Sequence, residues 1–292
     1  QGIKGKLTNI LGGEADEAGK SAGKTLGSSL GSIIKKTIAT AGIGTALKSA
    51  LTEGAALQQS YTGGLDTLYG EAAQAARDYA KEASTAGISM NSYSEQAVSF
   101  GAALKAAYGG DTTKAVEAAN TAILDMADNS AKMGTDIESV QMAYQGFAKG
   151  QYQLLDNLKL GYGGTKTEMQ RLLQDAQKFS GVEYNIDNLG DVYEAIHVIQ
   201  GELGLTGVAA EEASGTLSGS FAAMKASFQN FIGSLAIGES IEEPLNNLIT
   251  AFSNFAFNNL FPMIQNKISS IPSLLGGISD FIVKAIPSVM QA

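Results

Sequence analysis

The chain has 292 residues, 35 of them glycine, with only four prolines, one histidine and no cysteine or tryptophan. Without cysteine it forms no disulfide and no thiolate metal site, and a single histidine, His197, rules out a His-based metal cluster within one chain. The net charge of −9 is unevenly spread: residues 1–51 carry seven lysines and three acids for +4, residues 244–292 carry +1, and residues 52–243 hold −14. An acidic body lacks the basic face that general nucleic-acid binding requires.

Residues 1–51 read as a basic Gly/Ala-rich arm with helical tendency. Leu26, Leu30, Ile33, Ile34 and Ile38 fall at three- and four-residue intervals, on one stripe. Each interior glycine costs about 1 kcal/mol against alanine, so such a helix needs a partner. The Gly23-Gly27-Gly31 spacing permits close helix approach, in lipid or in a bundle of identical copies. The start at Gln1 predicts a fragment or a processed form. Residues 52–87 read as one long helix with Tyr61, Leu65, Leu68 and Tyr69 on its apolar face, and Gly63-Gly64 offers the place to bend it.

Residues 88–236 predict a compact helical module. Asn91 or Ser92 caps a helix through Tyr108, stopped by Gly109-Gly110. Asp111 or Thr112 starts the next, which ends near Gly134, and Thr135 with Glu138 has capping-box spacing for a third through Ala148. Thr165 and Glu168 repeat that spacing for a helix over 166–179. Residues 181–187 are the one candidate extended piece, too short for a sheet. Asn188 or Asp187 caps a helix closed by Gly204, and 206–236 reads as a single helix. Its inward stripe is Leu217, Phe221, Met224, Phe228, Phe231, Ile232 and Leu235. No run alternates with period two over a strand's length, so the fold class is all-α, elongated, with the compact module in the middle.

Residues 237–292 predict apolar helices started by Pro262, Pro272 and Pro287. Asn246, Asn247, Asn254, Asn258 and Asn259 make this stretch too polar for a comfortable membrane span. Phe252, Phe255, Phe257, Phe261 and Phe281 predict an apolar interaction surface wanting a partner chain, a tube wall or lipid.

Catalytic and ligand motifs do not emerge. Gly161-Tyr162-Gly163-Gly164-Thr165-Lys166 invites comparison with a phosphate-binding loop. Thr165 stands where that loop needs glycine, however, and no strand precedes it. A tight turn pinned by Tyr162 is the expectation. Glu211-Glu212 and Glu242-Glu243 read as solvated helix faces, His197 as a packed or surface histidine, and Asp125, Asp128 and Asp136 do not fit a calcium loop. No cofactor is expected.

Gly146 and Phe147, then Asp156, Asn157, Lys159, Gly161, Tyr162, Gly163, Gly164 and Lys166, form the densest pattern in the chain. Together with Gln145, Ala148, Lys149, Leu155, Leu158, Leu160 and the following Glu168-Met169, this run resembles the signature of phage tail tape measure proteins. Asp187–Gln200 and Glu212–Ser220 leading into Met224–Asn230 are similar to the same family. The resemblance covers roughly residues 50–290 and implies a non-enzymatic structural protein of a phage or prophage tail. Such proteins set tail length inside the polymerising tail tube and act again in genome ejection. The partners it implies are other copies of the chain in the tail lumen, the tail tube protein, tail assembly chaperones, baseplate or tail tip proteins, and the host membrane at infection. The location it implies is the virion tail, and the bacterial host's cytoplasm during assembly. At about 1.5 Å per residue a fully helical chain of this length reaches about 440 Å, short for a complete ruler, so a longer parent chain is expected. A second reading stays open: a membrane-active helical protein that inserts its apolar and glycine-rich helices into lipid.

Overall fold

A computed structural model describes residues 52, 54–260 and 262–263. The expected basic arm, Phe261, Phe281 and the helices expected after Pro272 and Pro287 lie outside the described residues. Nearly all that is described belongs to one compact unit, Glu53–Asn259. Its helices are α1 (Ala73–Glu82), α2 (Met90–Ala107), α3 (Thr112–Met133), α4 (Ile137–Phe147), α5 (Lys166–Ser180), α6 (Leu189–Glu202), α7 (Val208–Gly215), α8 (Leu217–Ile237) and α9 (Glu242–Ser253). The described residues contain no strand, and the fold is all-α.

The helix limits follow local chemistry. Asp111 caps α3 by accepting the Lys114 N–H at 3.1 Å, and Gly134 ends it in the left-handed region. Thr165 caps α5 and Asn188 caps α6, as their sequence predicts. Two caps differ. The Ser89 hydroxyl, not Asn91 or Ser92, receives the Ser92 N–H and starts α2. At α4 the cap is Asp136, whose Oδ1 accepts from Glu138 and Ser139. The carboxylate is a stronger acceptor at this helix start, and the Thr135 hydroxyl instead donates to the Asn157 carbonyl at 3.0 Å.

The single helix expected over 52–87 is broken. A wide π turn (Gln58–Gly64) runs into a short helix, Leu65–Tyr69, and the break comes at Gly70, whose φ of +54° suits glycine. Gly63 and Gly64 sit inside the continuous part, with Gly64 close against Val98. Leu57, Tyr61, Leu65 and Tyr69 are essentially inaccessible and share one core with α2, α3 and α6. This segment therefore builds the same unit as the module after it.

At the centre lies α3. It packs against α1, α2, α4, α6, α7 and Leu65–Tyr69. Ala115, Ala119 and Ala122 line its buried face beside Val116, Ile123 and Met126, so small side chains let several helices approach it. An aromatic cluster lies beside it: Phe100 meets Tyr193 edge-on at 5.6 Å, and Tyr193 lies 5.1 Å from Tyr144. Their polar ends are satisfied, with the Tyr193 hydroxyl donating to the Tyr144 carbonyl at 2.8 Å and the Gln200 amide donating to the Tyr144 hydroxyl.

The helix expected over 206–236 is two. Thr216 is extended, and its hydroxyl caps α8 through the Gly219 N–H. The expected inward stripe of α8 is overturned in part: Phe231 is buried and Leu217, Met224 and Ile232 are half-buried, but the other three face out. Phe221, Phe228 and Leu235 are 51%, 42% and 54% exposed, while Ser220, Ala223, Ala226, Ser227, Asn230, Gly233 and Ser234 are buried, joined by Phe231. The small face wins because the backbones approach closely. A side chain at Gly233 would overlap Leu57, and Asn230 reaches the start of α2 to accept the Met90 N–H at 2.7 Å. Helix α9 then packs along α8, and in the π turn that follows it (Asn254–Leu260) Phe255 meets Phe221 at 5.4 Å.

Candidate functional site

The signature residues gather in the connection between α4 and α5. After Phe147, the Lys149 and Gln151 N–H groups both turn back to the Gly146 carbonyl, and a Cβ on Gly146 would stand 3.2 Å from the Gln151 carbonyl. Phe147 is buried between Tyr144 and Tyr152. The Tyr152 hydroxyl donates to the Ile186 carbonyl at 3.0 Å and so fastens the 181–187 loop, which forms no strand. Leu155 and Leu158, in a single 3-10 turn, plug the core below.

The polar signature residues hold neighbouring elements together. Lys159 has φ +53°, the one positive value on a non-glycine among the described residues, and its ammonium donates to the Met133 carbonyl at 3.0 Å. That places a cation on the C-terminus of α3, where the helix dipole favours it. Asn129 of α3 donates to the Leu158 carbonyl at 2.9 Å, and the Asn157 carbonyl accepts from Thr135. Asp156 is exposed and closes the turn through its own carbonyl, which accepts the Lys159 N–H.

Beyond Leu160 the chain folds onto α5. The Arg171 guanidinium lies 4.4 Å above the Tyr162 ring and donates to the Gly161 carbonyl at 2.8 Å. The Tyr162 hydroxyl donates to Asp175 at 3.0 Å; burial, then that carboxylate, push the phenol up to about 12. Glu168 accepts the Gly163 N–H at 3.1 Å and pairs with Arg171 at 2.6 Å, and the Arg171 hydrogen bond holds its carboxyl below the usual range. Arg171 and Asp175 are thus the pins that sequence reasoning missed. The available signal was their i, i+4 spacing on one face of α5, turned toward Tyr162.

This arrangement cannot cradle a phosphate. The Gly163 amide is taken by Glu168, the Thr165 N–H by the Gly163 carbonyl, and Lys166 extends to Asp187 at 3.9 Å, both side chains exposed. A side chain at Gly164 would overlap the Gln153 carbonyl, so the glycine serves a backbone crossing. The stretch is a molecular joint.

Phe252 and Phe255 are half-buried and Phe257 is 42% exposed. The larger exposed feature is one the sequence reading turned inward: Phe221, Phe228 and Leu235, each seven residues from the next on one line of α8. A cavity of about 330 Å³ lies between the start of α2 and helices α3, α4 and α8. Ile88, Ile123, Met126 and Ile137 line it, with Glu138 and Lys225 as its charged linings. His197 is half-exposed, with Nδ1 2.9 Å from the buried Asp125.

Among the described residues no group of three or more His, Asp or Glu side chains could hold a metal ion, and no helix is long and apolar enough to cross a membrane. No family model, no curated protein and no solved structure matches the chain.

Proposed function

We propose that this chain is a structural part of a phage or prophage tail tape measure protein, setting tail length and organising tube assembly, with a later part in genome ejection. The observation that carries the reading is the run Leu155–Lys166 with its flanking Gln145–Lys149, which resembles that family's signature. The chemistry of the joint agrees with it. Lys159, Tyr162, Glu168 and Arg171 are engaged with the protein's own helices, as in a protein that works by shape. The apolar line on α8 and Phe257 suit a chain that assembles with other copies, tube subunits, chaperones and tip proteins. The role needs no catalytic residue and no cofactor.

The decisive experiment duplicates or deletes a helical stretch of the gene in frame, outside Glu53–Asn259, and measures tails by electron microscopy. Tails should lengthen or shorten in proportion. Unchanged tail length in both variants overturns the ruler function.

The exposed α8 line favours the second reading, membrane activity, because such a line can lie in a bilayer interface. Flotation of the full chain with liposomes, combined with its absence from purified tails, would select that reading.

A further inference from the structure

We propose that His197 is a proton-operated clasp between α6 and α3, holding the α3–α6–α7 joint more tightly at mildly acidic than at alkaline pH. Helix α3 turns two carboxylates inward one turn apart, Asp125 and Asp128, which are 2% and 5% exposed. A buried carboxylate is costly unless it is paired or hydrogen-bonded. Asp128 obtains its bonds from the backbone, accepting the Gly207 N–H at 2.7 Å and the Ala209 N–H at 2.8 Å, and so fixes the first turn of α7. Asp125 depends on His197, whose Nδ1 lies 2.9 and 3.1 Å from its two oxygens.

The clasp is open to solvent protons, since the His197 side chain is 35% exposed while that of Asp125 is 3%. The charges acting on His197 are Asp125 and Asp128 from α3 and Glu194 from α6 itself. On the other helices against α6, Lys105 of α2 donates to the Leu68 carbonyl, and Arg171 and Asp175 of α5 hold Tyr162. From α4, the Tyr144 hydroxyl adds a neutral group in the field of Asp125 and Asp128. With His197 protonated, the buried Asp125 has a cation. With His197 neutral, Asp125 loses its cation while Asp128 lies buried one turn away on the same helix.

The titration directions agree with that geometry. The hydrogen bond to Asp125 raises His197 above 6.5 against the opposing effect of burial, and burial raises both Asp125 and Asp128 above 3.8. All three groups hold protons more tightly folded than unfolded, so each favours the folded state as pH falls. The His197 contribution is fully present below about 6.5, its unfolded value, and is lost as pH rises through the raised folded value.

His197 is the single histidine of these 292 residues, so its ring gives one isolated NMR titration curve in this chain. The midpoint should lie above the ordinary histidine value and fall in Asp125→Asn. Thermal unfolding between pH 6 and 8, compared with His197→Gln, should show the advantage of the unsubstituted chain shrinking as pH rises. Amide exchange at Gly207 and Ala209, corrected for intrinsic rate, should be faster in the variant at pH 6. A midpoint at or below the ordinary value overturns the clasp. Parallel stability curves for the two proteins also overturn it. Where a variant does not fold, the titration of the unsubstituted protein decides.

Discussion

Three glycines within four residues of the joint differ in what they need from glycine: Gly164 needs space, Gly161 needs a positive φ and Gly163 needs neither, and alanine substitution separates them. At Gly164 the new Cβ would overlap the Gln153 carbonyl and reach within 3.4 Å of the Asp156 carboxylate, while the φ angle is ordinary. Backbone must move to relieve that clash, and overpacking of this kind costs about 1–3 kcal/mol. At Gly161 nothing lies within 4 Å, but φ is +87°. Alanine there loses only backbone comfort, about 1 kcal/mol. At Gly163 φ is ordinary and the nearest atom, Glu168 Cγ, stands 3.5 Å away, normal contact. The amide that Glu168 uses is kept, so the change should fall within about 0.5 kcal/mol. At about 2–4 °C per kcal/mol for a unit of this size, Gly164→Ala should lower the melting midpoint by about 2–12 °C, Gly161→Ala by about 2–4 °C, and Gly163→Ala by about 2 °C at most. Thermal unfolding followed at 222 nm reads the series. If Gly163→Ala costs as much as Gly164→Ala, or Gly161→Asn is worse than Gly164→Ala, the backbone crossing is misread.

Other substitutions probe other links of the same argument. Tyr193→Phe removes one of two donors to the Tyr144 carbonyl, which keeps the Ala148 N–H at 3.1 Å; losing that one buried hydrogen bond should cost about 0.5–1.5 kcal/mol in denaturant unfolding. Thr165→Ala takes away the cap of α5, whose hydroxyl accepts the Glu168 N–H, and should cost about 0.5–2 kcal/mol. Thr165→Ser should recover most of it, and an equal loss in both would deny the cap. Phe228→Gln with Leu235→Gln alters the exposed α8 line. Stability should change by less than about 0.5 kcal/mol per site while self-association in sedimentation velocity falls; a drop of several kcal/mol would mean that those side chains are buried.

What the sequence made readable was the punctuation. Asp111, Gly134, Thr165 and Asn188 act through groups one to four residues away, so their roles are local and the pattern reveals them. At α4 the spacing pointed to Thr135 and the cap is its neighbour Asp136, because a distant carbonyl, Asn157, takes the threonine hydroxyl. The same division runs through the joint. The glycine and tyrosine content announced a pinned turn, yet the pins on α5 and the Lys159 bond to Met133 needed the fold to bring them together.

Helix α8 shows why periodicity alone can choose the wrong face. Ranking positions by side-chain hydrophobicity favours Phe221, Phe228 and Leu235, but the energy of a helix interface depends also on how near the backbones come. Gly233 against Leu57 sets a separation too short for phenylalanine, and the buried Ser220 hydroxyl donates to a local carbonyl, that of Leu217. Close approach through Ala, Ser and Gly then gains contacts over the whole helix length, while Phe228 and Leu235 stay exposed and Phe221 meets Phe255 with about half its surface still exposed. A helix that buries its small face has no need of its aromatic face for folding. In a chain proposed to assemble with many partners, that leaves the α8 line available for them, and makes Phe221, Phe228 and Leu235 the residues at which folding and assembly can be separated by mutation.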